Sequence, residues 1–262
     1  MNAKKILVLA AIAATAILTV SCSGPSSKKL IKKGLYKCSE RLETAAKRIE
    51  KRAYSDAIRI LEDVKYQCGG SPLMDTVYYY AGMSHFRLKQ YDDARAEFET
   101  LYREHPRSPF MDEAQYRLAH MRFLQANQWF RDQTETREAI RLFGDYIDAY
   151  PKGAYIDSAA ALFKTSMDRL AEKEFNNALF YRKQKEHEAA LIYYRAVLAE
   201  YPESKFAPES VVGMAEMLVA LGRTQDARDI LEELDSAAFD EALKSRIEAV
   251  KQTILGPAAI KG

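Results

Sequence analysis

Three stretches of this chain, Ala94 to Phe110, Ala139 to Tyr155 and Ala190 to Phe206, are variants of one pattern. Each begins with alanine, places an aromatic ring four positions on (Phe98, Phe143, Tyr194) and a proline twelve positions on (Pro106, Pro151, Pro202). A ring precedes each proline (His105, Tyr150, Tyr201), and another follows it four residues later (Phe110, Tyr155, Phe206). Ala57/Leu61 and Ala227/Leu231 repeat the start of the pattern without the proline. Successive alanines stand 37, 45, 51 and 37 residues apart. A unit recurring at such a period cannot bury its apolar face alone, so it stacks on its neighbours into a solenoid.

The spacing says what the unit is. Alanine lets two helices approach closely, and a ring four residues on lies on the same helix face. Proline cannot continue a helix and so ends one. Small residues twelve positions before the alanine (Ala45, Gly82, Ala178, Ala215) place a close contact on a preceding antiparallel helix. Gly82, Ala94, Phe98 and Pro106, and again Ala178, Tyr181, Ala190, Tyr194 and Pro202, fit the tetratricopeptide (TPR) pattern. The expectation is an all-α, TPR-type helical-hairpin solenoid of about five repeats. The longer gaps predict an insertion around Trp129 to Thr134 and an extra helix over Tyr155 to Ala171, whose Ala159, Leu162, Phe163, Met167 and Leu170 keep helical spacing. No strand-like alternation is present.

The front end reads as an address. Lys4-Lys5 precedes Ile6 to Val20, a run that is apolar apart from Thr15 and Thr19 and ends in Leu18-Thr19-Val20-Ser21-Cys22. A basic start, a short apolar run and small residues before a cut site describe a secretory signal. The run is shorter than the ~20 residues of a membrane-spanning helix. The ending is similar to a bacterial lipoprotein signal, in which Cys22 is lipidated and becomes the first mature residue. The domains expected are a signal peptide over 1–21, a lipidated tether over 22–36, a solenoid over 37–252 and a frayed tail over 253–262.

Composition excludes several functions. The full chain carries a formal charge of +2, and losing Lys4 and Lys5 with the signal leaves it neutral, which argues against nucleic acid as a partner. With Cys22 lipidated, Cys38 and Cys68 remain as a pair at two helix ends that an antiparallel hairpin brings together, in an oxidising compartment. A disulfide closing the first repeat is expected there. His85, His105, His120 and His187 are scattered without Cys/His ligand spacing, so no metal site is expected. No Gly-rich phosphate loop, G-x-S-x-G or H-E-x-x-H appears, and the carboxylates alternate with Lys and Arg at helical spacing, as on a solvated face. The chain reads as a scaffold, not an enzyme, with no cofactor beyond the lipid on Cys22.

A TPR groove is lined by the first helix of each unit. Tyr79, Met83, Phe86 and Arg87 fall at groove-facing spacing in the second unit, and Tyr116 is the candidate in the third. Aromatics and Met hold apolar segments without strict sequence demands.

The lipoprotein-type ending, the length and the repeat layout together resemble the BamD family, the TPR lipoproteins of the β-barrel assembly machinery. The likeness is most specific from Arg131 to Pro202, which follows the family's third-repeat insertion, long connecting helix and fourth repeat in order, with the turns YPKGAY and YPESKF. The resemblance implies anchoring at the periplasmic face of a Gram-negative outer membrane. It further implies binding of the POTRA region of BamA and of other assembly subunits through the C-terminal repeats, and capture of unfolded outer-membrane proteins by the N-terminal ones. Two departures stand out. The first repeat ends in Cys68-Gly69 where the family has an aromatic-proline turn, and the family's arginine contact to BamA falls at Tyr193, with Arg195 nearby. The alternatives are another periplasmic TPR lipoprotein that coordinates the cell envelope or division, or a SusD-like glycan-binding lipoprotein. The latter is roughly twice this length.

Overall fold

The computed structural model describes residues 25–232 and 239–255, with side chains from residue 37 onward. The signal peptide, Cys22 and residues 256–262 lie outside the described residues. Among the described residues all regular structure is helical: α1 (Pro25–Glu50), α2 (Tyr54–Cys68), α3 (Met74–Arg87), α4 (Tyr91–Glu104), α5 (Met111–Gln125), α6 (Thr134–Ala149), α7 (Ile156–Lys183), α8 (His187–Glu200), α9 (Ala207–Ala220), α10 (Thr224–Glu232) and α11 (Glu241–Leu255). Successive pairs form five antiparallel hairpins, and α11 packs on α9 and α10. Among helices two apart, α1 meets α3, α5 meets α7 and α7 meets α9, whereas the even-numbered helices stand further apart. The odd-numbered helices are thus the inner layer of a curved TPR-type solenoid.

The repeated residues make the core. Ala57, Ala94, Ala139, Ala190 and Ala227 are fully buried, as are Phe98, Phe143 and Tyr194 and the small residues Ala45, Ala178 and Ala215. Gly82 shows why a small residue is demanded: a Cβ built there would lie 2.6 Å from Cε1 of Phe98. A Cβ at Gly213 would run into the ring of Tyr194. Phe98 fills the space inside its own hairpin, while Tyr194 on α8 reaches across to α9. The helix spacing alone did not reveal that second contact.

Four of the five hairpins turn alike. The middle residue of each link is left-handed: Arg52 (φ 58°), Lys89 (φ 61°), Lys185 (φ 63°) and Gly222 (φ 74°). Lys89 N–H bonds to the Phe86 carbonyl and Gln90 N–H to the His85 carbonyl, each at 3.0 Å, which closes the helix end as a Schellman motif. A residue with a Cβ pays about 1 kcal/mol in this region and glycine does not. Lys89→Gly and Lys185→Gly should therefore be neutral or stabilising by up to ~1 kcal/mol, and Gly222→Ala destabilising by a similar amount. Circular-dichroism melts check both signs.

Between hairpins a second turn recurs. Ser108 N–H bonds to the His105 carbonyl, Gly153 to Tyr150, Ser204 to Tyr201 and Ser71 to Cys68. The first repeat thus keeps the turn without the aromatic-proline pair. Carboxylates of the inner layer hold three of the links: Asp75 accepts from Ser108 Oγ at 3.0 Å, Asp112 from Ala154 N–H at 3.0 Å, and Asp168 from Lys205 N–H at 3.0 Å.

Three features differ from the sequence-based expectation. Helix α1 starts at Pro25, inside the segment read as a tether: proline fits the first turn of a helix, and Gly34 does not interrupt it. The extra helix does not stop at Ala171; it continues without interruption into the first helix of the fourth hairpin as α7, 28 residues long. Residues 171–177, Ala-Glu-Lys-Glu-Phe-Asn-Asn, contain neither Gly nor Pro to end it. The last helix reaches Leu255, into the expected tail. Cys38 and Cys68 are joined, with Cα atoms 6.2 Å apart, and sit in the core of the first hairpin with Leu42, Ala45, Leu61 and Val64.

Candidate functional site

The inner layer carries a continuous ladder of rings and charges from α3 to α7. The Tyr79 ring stacks on Phe110, the residue before α5, with centroids 4.2 Å apart and planes at 9°. Its hydroxyl donates to Glu113 Oε2 at 2.6 Å. Glu113 also accepts from Arg117 Nη2 at 2.6 Å and Nε at 3.1 Å, one turn along α5. The Arg117 guanidinium lies 5.3 Å from the ring centroids of Phe86, Tyr116 and Tyr155. Tyr116 stacks on Tyr155 at 4.6 Å and 9°. His120 continues the series toward Phe123, and Arg169 of α7 lies 5.2 Å from the centroid of Phe123.

The charges follow from this packing. Burial raises the Tyr79 hydroxyl, and its hydrogen bond to Glu113 raises it further, so it stays protonated as a donor. Burial pushes Glu113 up, but hydrogen bonds from Tyr79, Arg117 and Tyr155 and the Arg117 charge outweigh it and hold the carboxyl below the usual range. Burial, aided by Arg117, pulls His120 down, leaving it neutral among Phe86, Tyr116 and Phe123. The sign for Glu113 is that of a depressed acid. Its contribution to stability is present above its ordinary value of 4.5 and is lost as pH falls through the lower folded value. Glu113→Gln should therefore melt below the parent at neutral pH, with the gap closing on acidification below that range. Thermal melts across the acid limb test this.

The structure sorts the candidate residues by role. Tyr79 is half-buried and holds Glu113. Met83 and Phe86 are half-buried and pack on the cluster of Ala94, Phe98 and Met111, so they serve core and groove together. Arg87 is exposed and has no ion pair among the described residues. Tyr116 is 5% exposed and belongs to the core beside Phe143 and Tyr146, because Tyr155 covers its face. Tyr193 lies elsewhere, on α8 in the outer layer, stacked on Tyr181 of α7 with centroids 5.3 Å apart and planes at 8°. Arg195 is exposed on the same helix.

Sequence reading missed Glu113, Arg117, Tyr155 and Arg169 as parts of the ladder. Glu113 and Arg117 carried a signal, an i,i+4 pair beside Tyr116, but this chain is rich in such pairs. Only the neighbouring helices set this one apart from a solvated pair.

Comparison with known proteins adds the family. The chain is 24% identical to the outer membrane protein assembly factor BamD of Caulobacter vibrioides over 71% of this chain and 61% of that protein. It is 27% identical to BamD of Neisseria meningitidis serogroup A over 61% of this chain and 62% of that protein. It is 24% identical to BamD of Haemophilus influenzae over 86% of this chain and 88% of that protein. It thus spans about three-fifths of the length of the first two relatives. A family model described as "YfiO: Outer membrane lipoprotein" matches residues 36–234, from within α1 to the end of α10, and the chain belongs to that family.

Proposed function

We propose that this chain is a non-catalytic scaffold of the outer-membrane β-barrel assembly machinery, held at the periplasmic face of the outer membrane by lipid on Cys22. Its C-terminal hairpins bind the POTRA region of BamA, and its inner layer receives unfolded segments of outer-membrane proteins. The family match over residues 36–234 carries the reading, and the relatives named as assembly factors supply the process. The ladder supports the polypeptide-binding part. Rings with raised hydroxyls and a paired arginine offer apolar and polar contacts side by side, which suits barrel strands of alternating polarity. No described helix is long and apolar enough to cross a membrane. Attachment is assigned to Cys22 on its lipoprotein-type setting, where acyl chains would hold the chain at a lipid surface.

The test is affinity purification from detergent-extracted membranes, with identification of stable partners. Recovery of a POTRA-bearing barrel protein is expected, with loss of membrane attachment in Cys22→Ser. Recovery of peptidoglycan enzymes in its place would move the chain to the envelope-coordinating alternative. Replacing Tyr79 and Arg87 by alanine should weaken capture of unfolded barrel peptides with little change in helicity; unchanged capture would reject the role assigned to the ladder.

A further inference from the structure

At the far end of the ladder stands an arginine without an anion. Arg117, Arg122 and Arg182 of the inner layer are paired with Glu113, Glu135 and Glu216. Arg169 has no ion pair among the described residues, and its Nη1 is buried without an acceptor. Three residues on, Glu172 is half-buried; its carbonyl accepts from Asn176 Nδ2 at 2.7 Å, and its carboxylate has no partner among the described residues. Both line an open dent of about 440 Å³ whose other wall is Ala126, Asn127, Gln128 and Trp129 of the third-hairpin insertion.

That wall is fixed in place. Gln133 is buried, and its Nε2 donates to the carbonyls of Gln128 at 2.7 Å and Arg131 at 3.1 Å. Its Oε1 accepts from Thr136 Oγ1 at 2.8 Å. Asp132 accepts from Thr134 N–H at 3.1 Å, which fixes the approach to α6. Trp129 is packed edge-on against Phe130, which is 56% exposed. A built wall bearing an indole thus faces a cationic donor and an anionic acceptor that are not spent on each other.

We propose that this dent receives the main chain of an extended polypeptide segment, with a carbonyl accepting from Arg169, an N–H donating to Glu172 and an apolar side chain against Trp129. Charge complementarity selects this occupant. A carboxylate would satisfy Arg169 and be repelled by Glu172, and a cation would meet the reverse, whereas a peptide group is neutral and offers both partners. The spacing agrees. Residues three apart on a helix stand ~5–6 Å apart, and an extended chain presents N–H and C=O along one edge every ~6.8 Å. Alternate side chains then point one way, so the segment that fits has an apolar residue at every second position. The inference rests on the proposed function only for the source of the segment.

Trp129 is the chain's single tryptophan and reports occupancy directly by its fluorescence. The probe is a peptide capped at both ends, built of alternating Thr and Val with Phe, free of charge, Trp and Tyr. It is titrated into the full chain in detergent. Binding with a change in Trp129 emission is expected, and Arg169→Gln and Glu172→Gln should each raise Kd about tenfold or more, as for a lost hydrogen bond to a charged group, with unchanged melting curves. A peptide of the same composition with its apolar residues contiguous should bind more weakly. Wild-type affinity in either variant, or no Trp129 response in the parent chain, would overturn the site. So would a Glu172→Gln chain that leaves neutral-peptide binding alone and tightens only on a glutamate-bearing peptide. Co-purification with the assembly machinery is scored separately. Failed peptide binding with intact co-purification overturns the dent alone, and lost co-purification with intact peptide binding overturns the functional reading alone.

Discussion

Phe98→Ala is expected to cost ~3–5 kcal/mol of folding stability, enough to unfold a large fraction of a domain whose total lies in the range of about 5–15 kcal/mol. Phe98 is fully buried between α3 and α4, and nothing on Gly82 can fill the space it leaves, because Gly82 has no side chain. The cavity term therefore adds to the transfer term in full. The reciprocal change is overpacking: a methyl group at Gly82 meets Cε1, Cζ and Cδ1 of Phe98 at 2.6 to 2.9 Å, a conflict of about 1–3 kcal/mol. The two sites share one space, so Gly82→Ala combined with Phe98→Leu should cost less than the sum of the single changes. Urea denaturation of the four proteins measures that coupling. Strict additivity would mean that ring and glycine do not confront each other.

Reducing Cys38–Cys68 is the second large effect. The bridge spans 30 residues of sequence and closes the hairpin that, among the described residues, has a neighbour on one side only. In the chain-entropy account, a loop of that length contributes ~3–4 kcal/mol. Its sulfurs also lie in the apolar cluster with Leu42, Leu61 and Val64, so cleavage loosens packing as well as freeing the chain. We expect reduction, or Cys38→Ser with Cys68→Ser, to melt α1 and α2 first and to leave α5 to α9 protected. Hydrogen exchange read by mass spectrometry resolves this by segment. Uniform loss of protection would show that the hairpins unfold as one unit. Intact protection in α1 and α2 would show that packing alone holds them. Mapping of non-reduced peptides establishes the bond directly.

The solenoid was legible because its rule is local. An alanine, a ring four residues on and a proline twelve residues on constrain helix contact and helix end within a single turn or two, and every repeated alanine and ring is buried as that rule requires. The cysteine pair was legible for the same reason, since two helix ends in one hairpin meet whatever the rest of the chain does. The ladder was much less so. Tyr79, Met83 and Phe86 were placed on the correct helix, yet Tyr116 was offered as a groove residue when the ring of Tyr155, just before α7, covers it. That partner sits 39 residues away along the chain.

What the amino acids determined alone is therefore the unit: which stretches are helical, where an aromatic-proline turn ends a helix, and which small and large side chains must oppose each other. Tertiary structure decided what the units do together. It made the reach of Tyr194 into the next hairpin, the sharing of Glu113 between Tyr79 and Arg117, and the stranding of Arg169 beside Trp129. Helix periodicity records which face of a segment is apolar, because burial acts on each residue where it stands. It carries no record of which distant side chain arrives opposite, because that depends on the accumulated angle and rise of every hairpin between them.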